Sequence, residues 1–278
     1  MKVKEVLAGG RRRLAAAGVE EADIEAEVLL REALGRTRAG LLAGLGEDVT
    51  PRQSGAYDAL LARRLSGEPV AYILGRREFY GRDFAVDGRV LIPRPETELL
   101  VEQALVAARG RCRPLLADVG TGSGAVAITL ALELPEACIY ASDISPAALE
   151  VARANCRRYG VAGRVSLLRG DLLEPLPEVV DIIVANLPYV SRAGLVASRG
   201  LAAEPRLALD GGRDGLEVVR RFLGQVAGRL RPGGRVIMEI GLGQAGEVRR
   251  MLRQRFPLAL PVVVPDLSGI ERVVSFSL

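Results

Sequence analysis

The chain has 278 residues, 49% of them hydrophobic, enough to fill one large core or two unequal ones. It contains no histidine, which removes the usual general base, the Ser-His and Cys-His pairs, and most zinc and iron sites. Net charge is +4 and lysine stands only at Lys2 and Lys4, so the small positive excess is arginine and is too slight to identify a nucleic-acid binder.

Residues 1–72 are predicted to form a small helical bundle. Ala, Leu, Glu and Arg dominate, and apolar residues recur every three or four positions in "DIEAEVLLREALG" and "YDALLARRLSG". Residues 73–95 read as a hairpin connector that carries the domain boundary near 85. Two short strands, 79–86 and 89–92, are expected around Asp87-Gly88, before Pro93 and Pro95 end extended structure and a helix begins near Glu96. From 96 to 278, short apolar runs alternate with helical stretches: "PLLADVG", "AVAITLALEL", "CIYASDI", "PAALEVARANCRRYG", "VSLLRGD", "DIIVANLP" and "GRVIMEIG" among them. Strands separated by helices need crossover connections, so a mostly parallel, Rossmann-like α/β sheet with helices on both faces is predicted. The closing runs "LALPVVVPD" and "RVVSFSL" have no helix between them and suggest an antiparallel edge hairpin.

The arginine runs "GGRRRL" and "VRRMLRQR" are expected to be solvated helix faces, with local phosphate-binding faces as the alternative. Cys112, Cys138 and Cys156 are far apart with no C-x-x-C spacing, so neither a disulfide framework nor a metal site is predicted. Apolar runs break well before the roughly 18 residues a membrane span needs, and no leader opens the chain. A folded, cytoplasmic protein with no membrane association is expected.

In an open α/β sheet, ligands lie at the carboxyl ends of the strands. The first informative end is "LLADVGTGSGAVAI", where Asp118 precedes Gly120, Thr121, Gly122, Ser123 and Gly124 and glycines let the backbone turn tightly beside a ligand. The spacing is G-x-G-x-G rather than that of pyrophosphate binders, and no Gly-Lys-Ser/Thr follows, which argues against a nucleotide triphosphatase. The second end is Asp143 with Ile144, about twenty residues on, where a carboxylate can accept both hydroxyls of a ribose; Ser145 and Pro146 already supply the following helix with a cap. The third is Asp171 with Leu172 in "LLRGDLLEPL", placed to read an adenine edge. Glycine turn, ribose acid and adenine acid in that order fit an adenosyl ligand without pyrophosphate, and S-adenosyl-L-methionine fits best.

The fourth end is "DIIVANLPYV", in which a core strand runs into Asn186-Leu187-Pro188-Tyr189. Asn186 offers a carbonyl acceptor, and Pro188 holds Leu187 extended so that its main-chain carbonyl has a fixed direction. A planar NH2 group can donate to both while Tyr189 packs on its plane, which suits an amide or the exocyclic amine of a base.

"DVGTGSGAVAI" with "NLPY" resembles the amino-methylating S-adenosylmethionine methyltransferases, whose motif is Asn, Asp or Ser followed by Pro-Pro-Tyr. The motif alone does not choose among DNA adenine, ribosomal RNA adenine and glutamine methyltransferases. "GEPVAYILGRREFYGRDFAVDGRVLIPRPETELLVE", "AAEPRLALDGGRDGLEVVRRFL" and "PDLSGIERVV" are similar to the peptide chain release factor glutamine methyltransferases, from about 66 to 278. That resemblance implies a methyltransferase domain behind a helical substrate-recognition domain. The implied substrate is the glutamine of the Gly-Gly-Gln loop of class 1 release factors. It implies a cofactor site lined by Gly120 to Gly124, Asp143, Leu172 and Asn186, and a substrate amide held by Asn186 to Tyr189. Leu187 departs from the commoner proline. With no histidine and no carboxylate in the motif, no general base is assigned. A nucleic-acid adenine methyltransferase is the first alternative, but tryptophan is absent, aromatics are 4%, and nothing large follows the catalytic core to recognise a flipped base. A non-catalytic binding module of the same fold is the second. A monomer that does not bind nucleic acid directly is expected.

Overall fold

A computed structural model describes residues 1–197, 200 and 202–278. Contacts divide the chain into two units, Met1–Arg76 and Arg77–Leu278. In the first, α1 (Val3–Ala16), α2 (Ala22–Leu34), α3 (Arg38–Ala43), α4 (Pro51–Leu65) and α5 (Val70–Leu74) bury Leu7, Leu14, Leu29, Leu30, Tyr57 and Leu61 together. The ends are locally encoded. Thr50 and Gln53 form a capping box ahead of α4 with Pro51 at its first position, and Gly35 closes α2 at φ 63°. Gly10 lets α1 approach α4, because a Cβ there would lie 1.8 Å from the Tyr57 hydroxyl oxygen.

A hairpin, β1 (Arg76–Phe79) and β2 (Arg82–Ala85), starts on the last residue of the first unit and opens the second. It lies several residues before the predicted one. The chain reverses at Tyr80 and Gly81, with φ of 53° and 71°, the two left-handed positions of a type I′ turn. Asp87 instead folds back on Arg89, accepting its main-chain N–H at 3.0 Å, and the Ile92 N–H goes to the Glu204 carboxylate at 3.0 Å. With those two N–H groups spent on side chains and the Val90 N–H closing a turn on the Asp87 carbonyl at 3.1 Å, the stretch 89–92 is not a strand.

After a single turn of 3-10 helix, Pro95–Thr97, come α6 (Glu98–Ala108), β3 (Leu115–Val119), α7 (Ala125–Glu133), β4 (Cys138–Asp143), α8 (Pro146–Arg158), β5 (Val165–Arg169) and β6 (Val180–Ala185). The short helices α9 (Arg192–Ala197) and α10 (Arg206–Leu209) precede α11 (Glu217–Val226), β7 (Leu230–Glu239), α12 (Ala245–Arg255), β8 (Val262–Pro265) and β9 (Glu271–Ser277). The seven-stranded sheet runs β5-β4-β3-β6-β7-β9-β8, parallel through β7 and antiparallel in the last two strands.

Alternation explains why both faces are covered. Along β3, Leu115, Ala117 and Val119 join one core with α11 and α12, whereas Leu116 points to the other with α6 and α7; on β6, Ile183 and Ala185 oppose Ile182 and Val184 in the same way. The chain moves outward from β3 to β5 and then returns to the other side at β6, so the crossovers diverge between β3 and β6. That is the switch point where such sheets hold ligands. Among the described residues no helix is long and apolar enough to cross a membrane.

Candidate active site

A cavity of about 580 Å³ opens at the switch point. Gly120 and Gly122 after β3, Asp143 and Ile144 at the end of β4, Asp171 and Leu172 after β5, and Asn186, Leu187 and Pro188 after β6 all line it. Asp118, Thr121, Ser123 and Gly124 stand behind this wall, and Tyr189 is outside the lining. The remaining walls come from the stretch 89–91, the loop around α10 and the face of α11 that carries Val218 and Arg221.

The glycine turn is held from below. Gly120, Gly122 and Gly124 have φ of 75°, 55° and 81°, and the N–H groups of Gly120 and Thr121 both donate to the Ser142 carbonyl at 2.9 Å. Asp118, 2% exposed, accepts the Thr121 hydroxyl at 2.6 Å and the Ala127 N–H at 3.2 Å. Its work is to shape the turn. Burial pushes the Asp118 carboxyl up to about 6 from an ordinary 3.8. The native state therefore binds this proton more tightly than the unfolded chain, and stability falls as pH rises from about 4 to 6, by up to about 3 kcal/mol. Asp118→Asn keeps an acceptor and does not titrate. Denaturant unfolding between pH 4 and 7 should show wild type losing stability relative to the variant; parallel profiles would contradict this.

Asp143 is placed for two-handed acceptance. One oxygen takes the Gly122 N–H at 2.9 Å and the other the Ser145 N–H at 2.8 Å, leaving lone pairs on both for a diol. Burial raises its affinity for a proton, against the pull of those backbone donors. Ser145 caps α8, accepting the Ala148 N–H at 3.2 Å, so Asp143 is not needed for that task. Leu172 sits at φ 53°, uncommon for a side chain of its size, and its carbonyl accepts the Ser142 hydroxyl at 2.8 Å. Asp171 lines the cavity, but its Oδ2 is ion-paired with Arg221 of α11, which occupies one of its two oxygens.

The stretch Asn186-Leu187-Pro188-Tyr189 is held from the sides away from the cavity. The Leu187 side chain is buried in the core with Leu172 and Leu216, so an apolar residue other than proline is accommodated there. Gln244 donates to the Tyr189 carbonyl at 3.0 Å and the Gly215 carbonyl at 3.3 Å. A Cβ on Gly211 would lie 2.7 Å from the Pro188 carbonyl oxygen and 2.6 Å from that of Gly215, which explains the first glycine of "LDGGRDGLEV". Gly211→Ala must push the motif backbone aside. It should destabilise the protein by about 1–3 kcal/mol, and an unchanged Tm would refute the close approach.

Two polar residues escaped the sequence reading. The Asn186 Nδ2 donates to the Thr97 hydroxyl at 3.0 Å, and that hydroxyl donates to Glu239 at 2.7 Å. The Tyr189 hydroxyl donates to the other Glu239 oxygen at 3.2 Å. Burial and the neighbouring Glu239 charge hold Tyr189 protonated far above the ordinary range. The signal for Glu239 was present in "GGRVIMEIG": a lone acid ending an apolar strand, as Asp143 does.

A doubly wound sheet with this glycine turn, strand-end acids and amide motif defines a Rossmann-like methyltransferase. Solved structures share the fold. The ribosomal protein L11 methylase of Lactobacillus delbrueckii subsp. bulgaricus aligns at TM-score 0.52, with 19% identity over 72% of this chain and 89% of that one. The hMettl16 catalytic domain bound to a MAT2A 3′UTR hairpin aligns at 0.58, with 16% identity over 78% and 80%. Residues 5–75 match the PrmC N-terminal domain and residues 95–204 the methyltransferase small domain. The release factor glutamine methyltransferase of Moorella thermoacetica is 46% identical over 98% of this chain and 97% of that protein, and the one from Bordetella pertussis 47% over 90% and 93%. The chain belongs to the release factor glutamine methyltransferase family.

Proposed function

We propose that this protein transfers a methyl group from S-adenosyl-L-methionine to the side-chain amide nitrogen of the Gly-Gly-Gln glutamine of class 1 peptide chain release factors. The observation that carries the reading is the extent of the family likeness, 46% identity over 98% of the chain with a protein named for that activity, so that it includes the N-terminal helices. We assign those helices to substrate recognition and place the domain boundaries at 1–72, 73–95 and 96–278.

The cavity fits the cofactor by its donor set. Asp143 keeps acceptor capacity on both oxygens for ribose hydroxyls, Ile144 and Leu172 offer apolar flanks for a base, and Gly120 and Gly122 leave backbone exposed at the wall. Asp171 would read the adenine edge. Bound there, the cofactor supplies an electrophilic methyl group on a sulfonium.

An amide nitrogen is a poor nucleophile because its lone pair is delocalised into the carbonyl. Asn186 Oδ1 and the Leu187 carbonyl accept the two hydrogens of the substrate NH2, orient the nitrogen and offset the positive charge it develops. No side chain is assigned to remove the proton, which leaves after methyl transfer. The protein is read as a cytoplasmic monomer that does not bind nucleic acid directly. Offering purified release factor, ribosomal RNA and DNA separately with methyl-labelled cofactor tests this; label in nucleic acid alone would overturn it.

A further inference from the structure

Asparagine oxygen and nitrogen are nearly equal in size, so hydrogen bonding alone decides which of them Asn186 shows to the cavity. The partners that decide it are buried: Thr97 is 5% exposed and Glu239 3%. Burial raises the Glu239 carboxyl above its ordinary value, against the pull of the Thr97 and Tyr189 hydroxyls and of Arg272; in its ionised form the carboxylate only accepts. Glu239 Oε2 therefore takes the one proton of the Thr97 hydroxyl, at 2.7 Å, while Oε1 takes that of Tyr189, at 3.2 Å. The Thr97 oxygen is left as an acceptor, and Asn186 satisfies it with Nδ2 at 3.0 Å. In the flipped orientation two oxygens would face each other in a buried site. An NH2 would also meet the incoming NH2 in the cavity that Asn186 lines.

We propose that Glu239 is a positioning residue that works through the Thr97 hydroxyl to hold the Asn186 amide with Oδ1 as the atom offered to the substrate. This rests on the reading that Asn186 accepts the substrate NH2. Through Tyr189 the same carboxylate also pins the far end of the motif, so one buried acid from β7 and one hydroxyl from the turn before α6 set the polarity of the β6 end.

Thr97→Val removes the hydroxyl at nearly constant shape, and Thr97→Ser restores it. The valine variant should lose on the order of tenfold to a hundredfold in kcat toward release factor, with cofactor affinity unchanged, and the serine variant should recover most of the loss. The side-chain NH2 resonances of Asn186, assigned by their disappearance in Asn186→Asp, report orientation without any substrate. Wild type and Thr97→Ser should show one slowly exchanging proton that is lost in Thr97→Val. Wild-type turnover in the valine variant, or two freely exchanging Asn186 protons in the wild-type protein, would overturn the proposal. If wild type fails to methylate release factor, the proposed function fails while the NMR signals still decide the orientation.

Discussion

Asn186→Ala should lower kcat for release factor methylation by about 10²- to 10³-fold, the scale seen when one preorganised group facing developing charge is removed. The main chain would persist, because Leu187 is buried in the core and Gln244 holds the Tyr189 carbonyl. What is lost is the acceptor proposed for the substrate NH2, together with the donor that the Thr97 oxygen receives. Cofactor affinity should fall far less than kcat, since Asp143 and the glycine turn remain. Single-turnover methylation with saturating cofactor checks this, and a variant that methylates like wild type would remove Asn186 from the mechanism.

Asp143→Ala should act on the other substrate. Two hydrogen bonds from hydroxyls to a charged acceptor are worth about 1.5–3 kcal/mol each, so cofactor Kd should rise by about a hundredfold or more while turnover at saturation changes much less. Because the carboxylate also holds the Gly122 and Ser145 N–H groups, a modest fall in Tm is expected alongside. Titration calorimetry settles the assignment: unchanged affinity would refute the ribose role.

Much of the sheet was legible because its strands are short apolar runs closed by Asp, Gly or Asn. "LLADVG" became β3 and "DIIVAN" became β6, and the strand-end rule led directly to Asp143, Asp171 and Asn186 on one cavity. The connecting hairpin was misplaced for a conformational reason. Tyr80 occupies a left-handed turn position at φ 53°, where a tyrosine gives no turn signal, whereas Asp87-Gly88 gives a strong one and makes a tight turn, closed by the Val90 N–H on the Asp87 carbonyl, that joins no strands. Thr97 and Glu239 were missed because nothing local connects them. They are 142 residues apart, and Thr97 is 89 from Asn186; only the packing of β6 beside β7 and the turn before α6 makes them neighbours. Asp118 illustrates the converse. It was grouped with the ligand residues by its place in "DVGTGSG", yet it is outside the cavity lining, and its Oδ2 accepts from both Thr121 and Ala127 and braces the turn from behind.

The central claim is that an amide NH2 of a release factor glutamine is the methyl acceptor. Its most direct test is to incubate the protein with a purified class 1 release factor and methyl-labelled S-adenosylmethionine, digest the product and map the modified peptide by fragmentation. The account predicts one added methyl, on the side-chain nitrogen of the Gly-Gly-Gln glutamine, and none when that glutamine is replaced by alanine. A methyl on any other residue, or an unmodified release factor, would contradict it.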